Sequence, residues 1–235
     1  MRNSLLIFIL ILSSSFSMAK SMSLTEQLQS RADASAKKSP AERKQIMMGS
    51  IDNLRKSEIM KTALKKGDVV PEFSLKDIKK GLVSSKKLLN KGPLIITFYR
   101  GGWCPYCNLQ LRDLQMKLKE IKKTGANLVA ISPELPDSTA KTVKKGKLDF
   151  YVLSDNQGVV AKKFGLVYKL DKKLIAVYKK FGIDLVKENG NNKWELPISA
   201  TYIVNKKGKI IYSFVEADYK KRAETTELIS ILKKL

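Results

Sequence analysis

Apolar positions fall into short continuous runs and helical stripes that alternate from residue 67 to the C-terminus. Continuous apolar runs predict buried strands at residues 94–99 and 128–131. Shorter runs flank two Lys-Gly turns, Lys80-Gly81 and Lys207-Gly208, and each such pair predicts a hairpin. Strands are therefore expected at residues 73–75, 82–84, 94–99, 128–131, 150–153, 201–204 and 210–215.

Helices are predicted between these strands. Leu111, Leu114, Leu118 and Ile121 recur at helical spacing, so one helix is expected over residues 109–121, with Gly125 closing it. Further helices are expected at residues 137–146, 159–164 and 224–235. Alternating strands and helices predict an α/β domain, residues 67–235, whose central mixed sheet carries helices on both faces. Residues 168–197 are the least regular stretch and predict a loop-rich insertion near the site.

Residues 20–66 predict a helical extension that precedes this domain. Ser39, Pro40 and Glu42 form a pattern typical of a helix start, with Ser39 as N-cap. Apolar residues on one side of the segment predict that it covers an edge of the domain. They are Ile46, Leu54, Ile59 and Leu64. No chemistry is predicted for this segment.

Residues 1–19 have the pattern of a secretory signal peptide. A short positive start with Arg2 precedes an apolar run over residues 5–12, and small residues precede a cut after Ala19. The alternative is an uncleaved membrane anchor, but the apolar run is much shorter than the roughly 20 residues that span a bilayer. We therefore expect an exported protein, periplasmic or secreted, that begins at Lys20 and keeps no integral membrane anchor.

The chain is strongly basic, with 45 Lys and Arg against 22 Asp and Glu and a net charge of +23. Removing residues 1–19 takes away Arg2 alone and leaves +22. Lysine pairs are spread along the whole chain, whereas a nucleic-acid site would cluster Arg and aromatic residues on one face. We expect a solvated basic surface and no nucleic-acid partner, with attraction to anionic envelope polymers as a lesser alternative.

The residue types exclude several chemistries. The chain has no histidine and only two cysteines, Cys104 and Cys107. A Ser-His-Asp or Cys-His site is therefore impossible, and a structural zinc site would lack half of its ligands. We expect neither a metal nor another cofactor.

The cysteine pair carries the candidate chemistry. A strand should end before Gly101-Gly102, and Pro105 should open a helix, which places both thiols in its first turn. Unpaired N–H groups at a helix start favour a thiolate, and the thiolate is the nucleophilic form. The alternatives are a structural disulfide, which would close too short a loop to stabilise much, and a Cu(I)–thiolate site.

Several motifs resemble the peroxiredoxin superfamily, the alkyl hydroperoxide reductase and thiol-specific antioxidant group. Residues 67–75 resemble its entry strand, and residues 98–107, Phe-Tyr-Arg-Gly-Gly-Trp-Cys-Pro-Tyr-Cys, resemble a subgroup with a Cys-Pro-Tyr-Cys pair. Five further stretches resemble the same subgroup: residues 128–134, 153–155, 194–197, 217–219 and 222–224. The resemblance implies a thioredoxin fold and thiol-dependent reduction of a hydroperoxide, with a thioredoxin-like protein as reductant.

The resemblance leaves the roles of the two cysteines open. The peroxiredoxin spacing puts Cys107 at the attacking position and Cys104 at a Thr, whereas thioredoxins attack with the first cysteine, here Cys104. Ser199 stands where peroxiredoxins often have an activating Arg and thioredoxins a cis-Pro. We favour Cys104 as attacking thiol, because it should be the more exposed, and Cys107 as resolving thiol.

Three neighbours are candidate substrate-binding residues. Arg100 could stabilise a thiolate or bound peroxide, with a surface arginine at a strand end as its alternative. Trp103 and Tyr106 could form an apolar rim that docks a partner, although Trp103 could instead pack on the first hairpin.

Three functions follow from these observations. The first is a thiol-dependent peroxidase that cycles Cys104 and Cys107 between dithiol and disulfide. The second is an exported thiol–disulfide oxidoreductase that acts on envelope proteins. The third is a basic envelope-binding protein without enzymatic activity, whose disulfide is structural.

Overall fold

A computed structural model describes residues 22–235; the predicted signal peptide lies outside the described residues. The first helices are α1 (Leu24–Lys38), α2 (Ala41–Lys56), α3 (Ile59–Thr62), α4 (Ser85–Lys91), α5 (Pro105–Met116) and α6 (Leu118–Lys123). The others are α7 (Pro136–Gly146), α8 (Val159–Lys163), α9 (Lys172–Lys180), α10 (Leu185–Asn189) and α11 (Thr225–Leu232). The strands are β1 (Ser74–Asp77), β2 (Gly81–Ser84), β3 (Leu94–Phe98), β4 (Asn127–Ser132), β5 (Tyr151–Ser154), β6 (Val167–Lys169), β7 (Glu195–Pro197), β8 (Ser199–Val204) and β9 (Ile210–Glu216).

Seven strands form the central mixed sheet, in the order β2-β1-β5-β4-β3-β8-β9. β3, β4 and β5 run parallel, and the hairpins β1–β2 and β8–β9 pair antiparallel at the two sides. Every residue of β3 is buried, because a central parallel strand is covered on both faces. The predicted α/β class and both hairpins are confirmed.

Two apolar clusters pack on opposite faces of the sheet. One contains Leu111 and Leu114 of α5 with Leu228 of α11, and the other contains Leu88 of α4 with Phe164 after α8. Leu24 of α1 is fully buried in the first cluster. Helices α1, α2 and α3 precede the sheet, and α1 packs on one of its faces.

Two local predictions are wrong, and one helix was not predicted. Ser39 is not an N-cap: its hydroxyl donates to the Ser35 carbonyl and closes α1, and α2 begins after Pro40. The helix predicted over residues 109–121 is two helices, which meet at Lys117. Helix α4 was not predicted, because seven residues are too short for a visible apolar period.

Residues 168–197 contain more regular structure than predicted. β6 and β7 form a separate two-stranded sheet, and α9 and α10 lie between them. Leu174, Tyr178 and Trp194 build a small core of their own, against which Trp103 packs. As predicted, the segment lies at the cysteine pair. No helix within residues 22–235 has both the length and the apolar character needed to cross a membrane.

Candidate active site

The cysteine pair lies where β3 passes into α5. Cys104 is the N-cap of α5, Pro105 is its first residue, and the Cys104 N–H donates to the Gly101 carbonyl over 3.1 Å. Cys107 follows in the first turn. The predicted position of the pair at a helix start is confirmed, so both sulfurs lie where N–H groups lack helical partners.

Both glycines of the turn before Cys104 are required by close packing. Gly101 has φ +147°, and a Cβ on it would lie 2.3 Å from Nε1 of Trp103. A Cβ on Gly102 would lie 1.9 Å from Oγ1 of Thr142. Gly102 can therefore approach α7 only without a side chain, and Gly101 leaves room for the Trp103 ring.

Neither sulfur reaches solvent. Cys104 and Cys107 are both 0% exposed and are not bonded to each other. The expectation that Cys104 would be the more exposed thiol is wrong, because aromatic residues from outside the helix cover the pair. Tyr178 of α9 packs on Trp103, Tyr219 after β9 packs on Arg100, and both hydroxyls are close enough to Cys104 to interact with its charge. Exposure therefore does not distinguish the two cysteines.

Arg100 lies inside the site rather than on the surface. It is 4% exposed, and its Nη2 donates to the Cys104 sulfur over 3.5 Å. Its Nη1 donates to the Tyr178 hydroxyl over 2.9 Å. The guanidinium also lies over the rings of Tyr219, at 4.2 Å, and Trp103, at 5.0 Å. These cation–π contacts partly replace water around the buried charge.

A second guanidinium, that of Arg222, lies beside Cys107. It lies in the loop between β9 and α11, and its Nη2 donates to the Cys107 sulfur over 3.2 Å. Its Nε donates to the Gln110 side chain over 2.8 Å. Gln110 in turn donates to the hydroxyls of Thr97 and Thr201 on the sheet, which fixes its orientation. The arginine is thus held in place by α5 and by two strands.

The two arginines lack acidic partners. Arg222 is 5% exposed, and within residues 22–235 neither Arg100 nor Arg222 forms an ion pair with a carboxylate. A buried charge without a counter-ion is costly. The groups placed to serve as anions are the two sulfurs, so the site favours a thiolate.

The two thiols have opposite acidities. Burial by itself raises the pKa of Cys104, but a hydrogen bond from the Cys107 thiol and the charges of Arg100 and Arg222 outweigh it and hold that pKa well below its ordinary value. Burial raises the pKa of Cys107 well above its ordinary value, and the neighbouring Cys104 thiolate adds to the effect. One negative charge is therefore favoured in the pair, and these directions favour Cys104 as its carrier.

The other predicted residues occupy different places. Trp103 is half-buried and packs edge-on against Tyr178, not on the first hairpin. Tyr106 is 5% exposed and packs against Tyr219, so it offers no exposed rim. Ser199 is the first residue of β8, so no arginine occupies this position of the site.

Sequence analysis missed four residues of the site: Gln110, Glu134, Tyr178 and Arg222. Glu134, Tyr178 and Arg222 reach the pair from other elements, whereas Gln110 lies on α5 itself, one turn after Cys107. For Arg222 and Glu134 a signal existed, because both belong to motifs that match the peroxiredoxin-like subgroup. Tyr178 lies in the irregular 168–197 segment and carried no signal.

A nucleophilic thiol at the start of a helix beside a mixed sheet defines a thiol oxidoreductase with a thioredoxin-like fold. Residues 66–213 match the model of the AhpC/TSA family. The chain belongs to this family.

Two curated relatives are peroxiredoxins. The chain is 31% identical to chloroplastic peroxiredoxin Q of Sedum lineare over 182 residues, which is 77% of this chain and 85% of the relative. It is 32% identical to peroxiredoxin Bcp of Escherichia coli K12 over 103 residues, 44% of this chain and 65% of that one. The protein is accordingly a thiol-dependent peroxidase, and the two alternative functions are not favoured.

Solved structures agree on the fold. Peroxidoxin BcpB of Mycobacterium tuberculosis superposes with a TM-score of 0.58 at 22% identity, covering 73% of this chain and 98% of that one. A peroxiredoxin Q structure from Xanthomonas campestris gives a TM-score of 0.52 at 16% identity, covering 69% and 90%. The thioredoxin-like fold predicted from the sequence is confirmed.

Proposed function

We propose that Cys104 is the attacking thiol of this peroxidase and Cys107 the resolving thiol. One observation carries the assignment. Cys104 is the sulfur whose thiolate is stabilised by the Cys107 thiol, by Arg100 and by Arg222, while the pKa of Cys107 is raised. The thiolate is the nucleophile, so the first cysteine is charged and ready while the second keeps its proton.

The proposed cycle has three steps. The Cys104 thiolate attacks the terminal oxygen of a hydroperoxide; an S–O bond forms, the O–O bond breaks, and the leaving alkoxide takes a proton to become an alcohol, or water when the substrate is hydrogen peroxide. The Cys107 sulfur then attacks the sulfenic sulfur, which forms the disulfide and releases water. A dithiol protein of the thioredoxin type reduces the disulfide by thiol–disulfide exchange.

The two arginines have distinct parts in this cycle. Arg100 lies 3.5 Å from the attacking sulfur and can also face the oxygen on which negative charge develops as the O–O bond breaks. Arg222 lies 3.2 Å from the Cys107 sulfur and stabilises the thiolate released when the disulfide is reduced. Arg222 thus supplies a second guanidinium to the site, whereas Ser199, at the position where peroxiredoxins often have an activating arginine, supplies none.

Access to the thiols requires part of the cover to move. Trp103 and Tyr178 contact each other with ring centroids 5.6 Å apart, and Tyr178 also binds Arg100. Because both sulfurs are fully covered, a hydroperoxide reaches Cys104 only when such contacts open. The same opening admits the reductant.

Peroxide titration of the reduced protein tests the function. The expected result is that each molar equivalent of hydrogen peroxide removes two free thiols and forms one intramolecular disulfide. Reduction of insulin disulfides without any reaction with peroxide would instead support a disulfide oxidoreductase. Replacing both cysteines by serine is the matched control and should abolish peroxide consumption.

We propose separately that the protein is exported, which the pattern of residues 1–19 supports. The protein would then act outside the cytoplasm, in the periplasm or as a secreted protein. N-terminal sequencing of the native protein is expected to begin at Lys20. A native protein that still begins at Met1 would contradict this proposal and leave the chemistry untouched.

A further inference from the structure

Helices α2 and α9 form the two walls of an open groove on the surface of the protein. The groove has a volume of about 900 Å³ and a mostly apolar lining. Ile46 of α2 and Ala176 and Val177 of α9 contribute to this lining, together with Phe181, which is 44% exposed. Helix α2 lies outside residues 66–213, the part of the chain that matches the family, so the family match does not account for this groove.

Gly49 leaves the α2 wall of this groove without a side chain. It lies inside the helix and is exposed, and a Cβ built on it would have no other part of the described structure within 4 Å. Glycine destabilises the interior of a helix relative to alanine, because it loses more conformational freedom on folding. Packing within the chain does not require a glycine here, whereas an occupant of the groove could approach the α2 backbone closely.

The groove carries an excess of positive charge. Four basic side chains line it, and none of them forms an ion pair within residues 22–235. They are Arg43, Lys172, Lys173 and Lys180. Two acidic residues, Glu42 and Asp171, also line the groove, but each lies at the N-terminal end of its helix, where the helix dipole offsets its charge. An apolar groove with free positive charges suits a partner with an acidic surface.

Helix α9 connects this groove with the cover of the cysteines. On its inner side, Tyr178 packs against Trp103 and accepts a hydrogen bond from Arg100. At its end, Phe181 lies under the guanidinium of Arg43 of α2, which is 3.7 Å from the ring centroid. A partner bound between α2 and α9 therefore contacts the helix that has to move before the thiols become accessible.

We propose that the groove between α2 and α9 is the docking site of the reductant, an acidic dithiol protein, an inference that rests on the proposed function. The reductant is the macromolecule that the cycle requires, whereas a hydroperoxide is too small to need such a groove. One reductant thiolate attacks the disulfide of Cys104 and Cys107 and forms a mixed disulfide, which the second reductant thiol then breaks. In sum, two electrons and two protons pass from the reductant thiols to the pair, and the reductant ends as a disulfide.

Net charge disfavours a second copy of this chain as the occupant. Each copy carries a net charge of +23, so two copies repel each other. An acidic protein is instead attracted, and the free cations of the groove orient it toward the helix that covers the disulfide.

Reduction kinetics test the docking site, after one equivalent of hydrogen peroxide has formed the disulfide. The two reductants are a thioredoxin of net negative charge and dithiothreitol, which is too small to need the groove. The double variant Lys173→Glu/Lys180→Glu should lower the second-order rate constant with thioredoxin by about tenfold or more, because electrostatic steering contributes about 10- to 1000-fold to association rates. Its reactions with dithiothreitol and with hydrogen peroxide should stay close to the wild-type rates.

Gly49→Leu tests the shape of the groove without a change of charge. Its side chain would enter open space, so the fold should be kept, and it should lower the rate constant with thioredoxin but not the one with dithiothreitol. Lys119→Glu/Lys122→Glu makes the same change of charge at exposed positions of α6 and is the matched control. It should lower the thioredoxin rate constant far less than the groove variant does.

A thioredoxin rate constant that stays at the wild-type value in either groove variant, or that falls equally in the α6 control, would overturn the docking site. A wild type that thioredoxin reduces no faster than dithiothreitol does, at equal thiol concentration, would overturn it as well. A wild-type dimer in gel filtration that Gly49→Leu converts to a monomer would assign the groove to a second copy instead. Failure of hydrogen peroxide to form the disulfide in the first step would count against the proposed function and not against the docking site.

Discussion

The guanidinium of Arg222 lies 3.2 Å from the Cys107 sulfur, although 115 positions separate the two residues in the chain. The side-chain oxygen of Gln110, one turn after Cys107, accepts a hydrogen bond of 2.8 Å from Nε of the same arginine. The electrostatic setting of the second cysteine is thus made by the loop after β9 and not by the Cys-Pro-Tyr-Cys motif alone. The same loop carries Tyr219, which lies under the guanidinium of Arg100.

Replacing Arg222 by methionine should raise the pKa of Cys104, because one of the two positive charges that favour its thiolate is lost. The rate of sulfenic acid formation as a function of pH should shift to higher pH. Arg222→Lys keeps the charge without the paired contacts to Gln110 and Cys107 and should lie between the two. An unshifted pH profile in Arg222→Met would show that Arg222 does not act on the attacking sulfur.

Replacing Arg100 by methionine should have the larger effect, because Arg100 contacts the Cys104 sulfur directly. A rise of one pKa unit lowers the thiolate fraction by about tenfold at a pH below the pKa. The rate of alkylation by iodoacetamide, measured at a pH below the pKa of Cys104, should fall by about that factor for each unit that this pKa rises, and the midpoint of its pH profile should rise further than in Arg222→Met. Arg112→Met, an exposed change on the same helix, is the control and should alkylate at the wild-type rate.

Two replacements of Tyr178 should distinguish its effect on access to the thiols from its hydrogen bond with Arg100. Tyr178→Phe removes the hydroxyl that accepts from Arg100 but keeps the ring against Trp103, whereas Tyr178→Ala removes both. The alanine variant should react much faster with a bulky maleimide and lose several kcal/mol of unfolding free energy, about 3–5 for a large buried aromatic. The measurement is the ratio of two thiol modification rates, that with the bulky maleimide and that with the small reagent iodoacetamide. If this ratio is similar in the wild type, Tyr178→Phe and Tyr178→Ala, Tyr178 does not cover the thiols.

Glu134 should make the stability depend on pH. Its pKa rises from the ordinary 4.5 to about 7 in the folded protein, so folding favours the protonated form. That contribution is complete below pH 4.5 and is lost as pH rises through about 7. Relative to Glu134→Gln, the wild type should lose free energy of unfolding over this interval, by about 3 kcal/mol for the full shift. Urea denaturation of both proteins at either end of the interval measures the difference; an equal difference at both ends would refute it.

The fold was largely predictable because its signals are local. Apolar runs, Lys-Gly turns and Pro105 each determine a few neighbouring residues, and the structure has the expected hairpins and the expected helix start. The break at Lys117 between α5 and α6 carried no Gly or Pro, so it left no trace in the pattern.

Only the part of the site that is contiguous in the sequence could be predicted. Arg100, Cys104 and Cys107 belong to one motif, and all three meet in the structure. Arg222 and Tyr178 arrive through tertiary packing, which no spacing in the sequence reveals. The burial of Cys104 was missed for the same reason, because the aromatic cover comes from remote segments.

The assignment of Cys104 as the attacking thiol is tested most directly by comparing two single variants in their first reaction with hydrogen peroxide. Cys107→Ser should form sulfenic acid on Cys104 close to the wild-type initial rate, although slightly slowed because the Cys107 thiol no longer donates to the Cys104 sulfur. Cys104→Ser should leave a slow thiol, since burial raises the pKa of Cys107. A Cys104→Ser protein that consumes peroxide at the wild-type initial rate would contradict the account and assign the attack to Cys107.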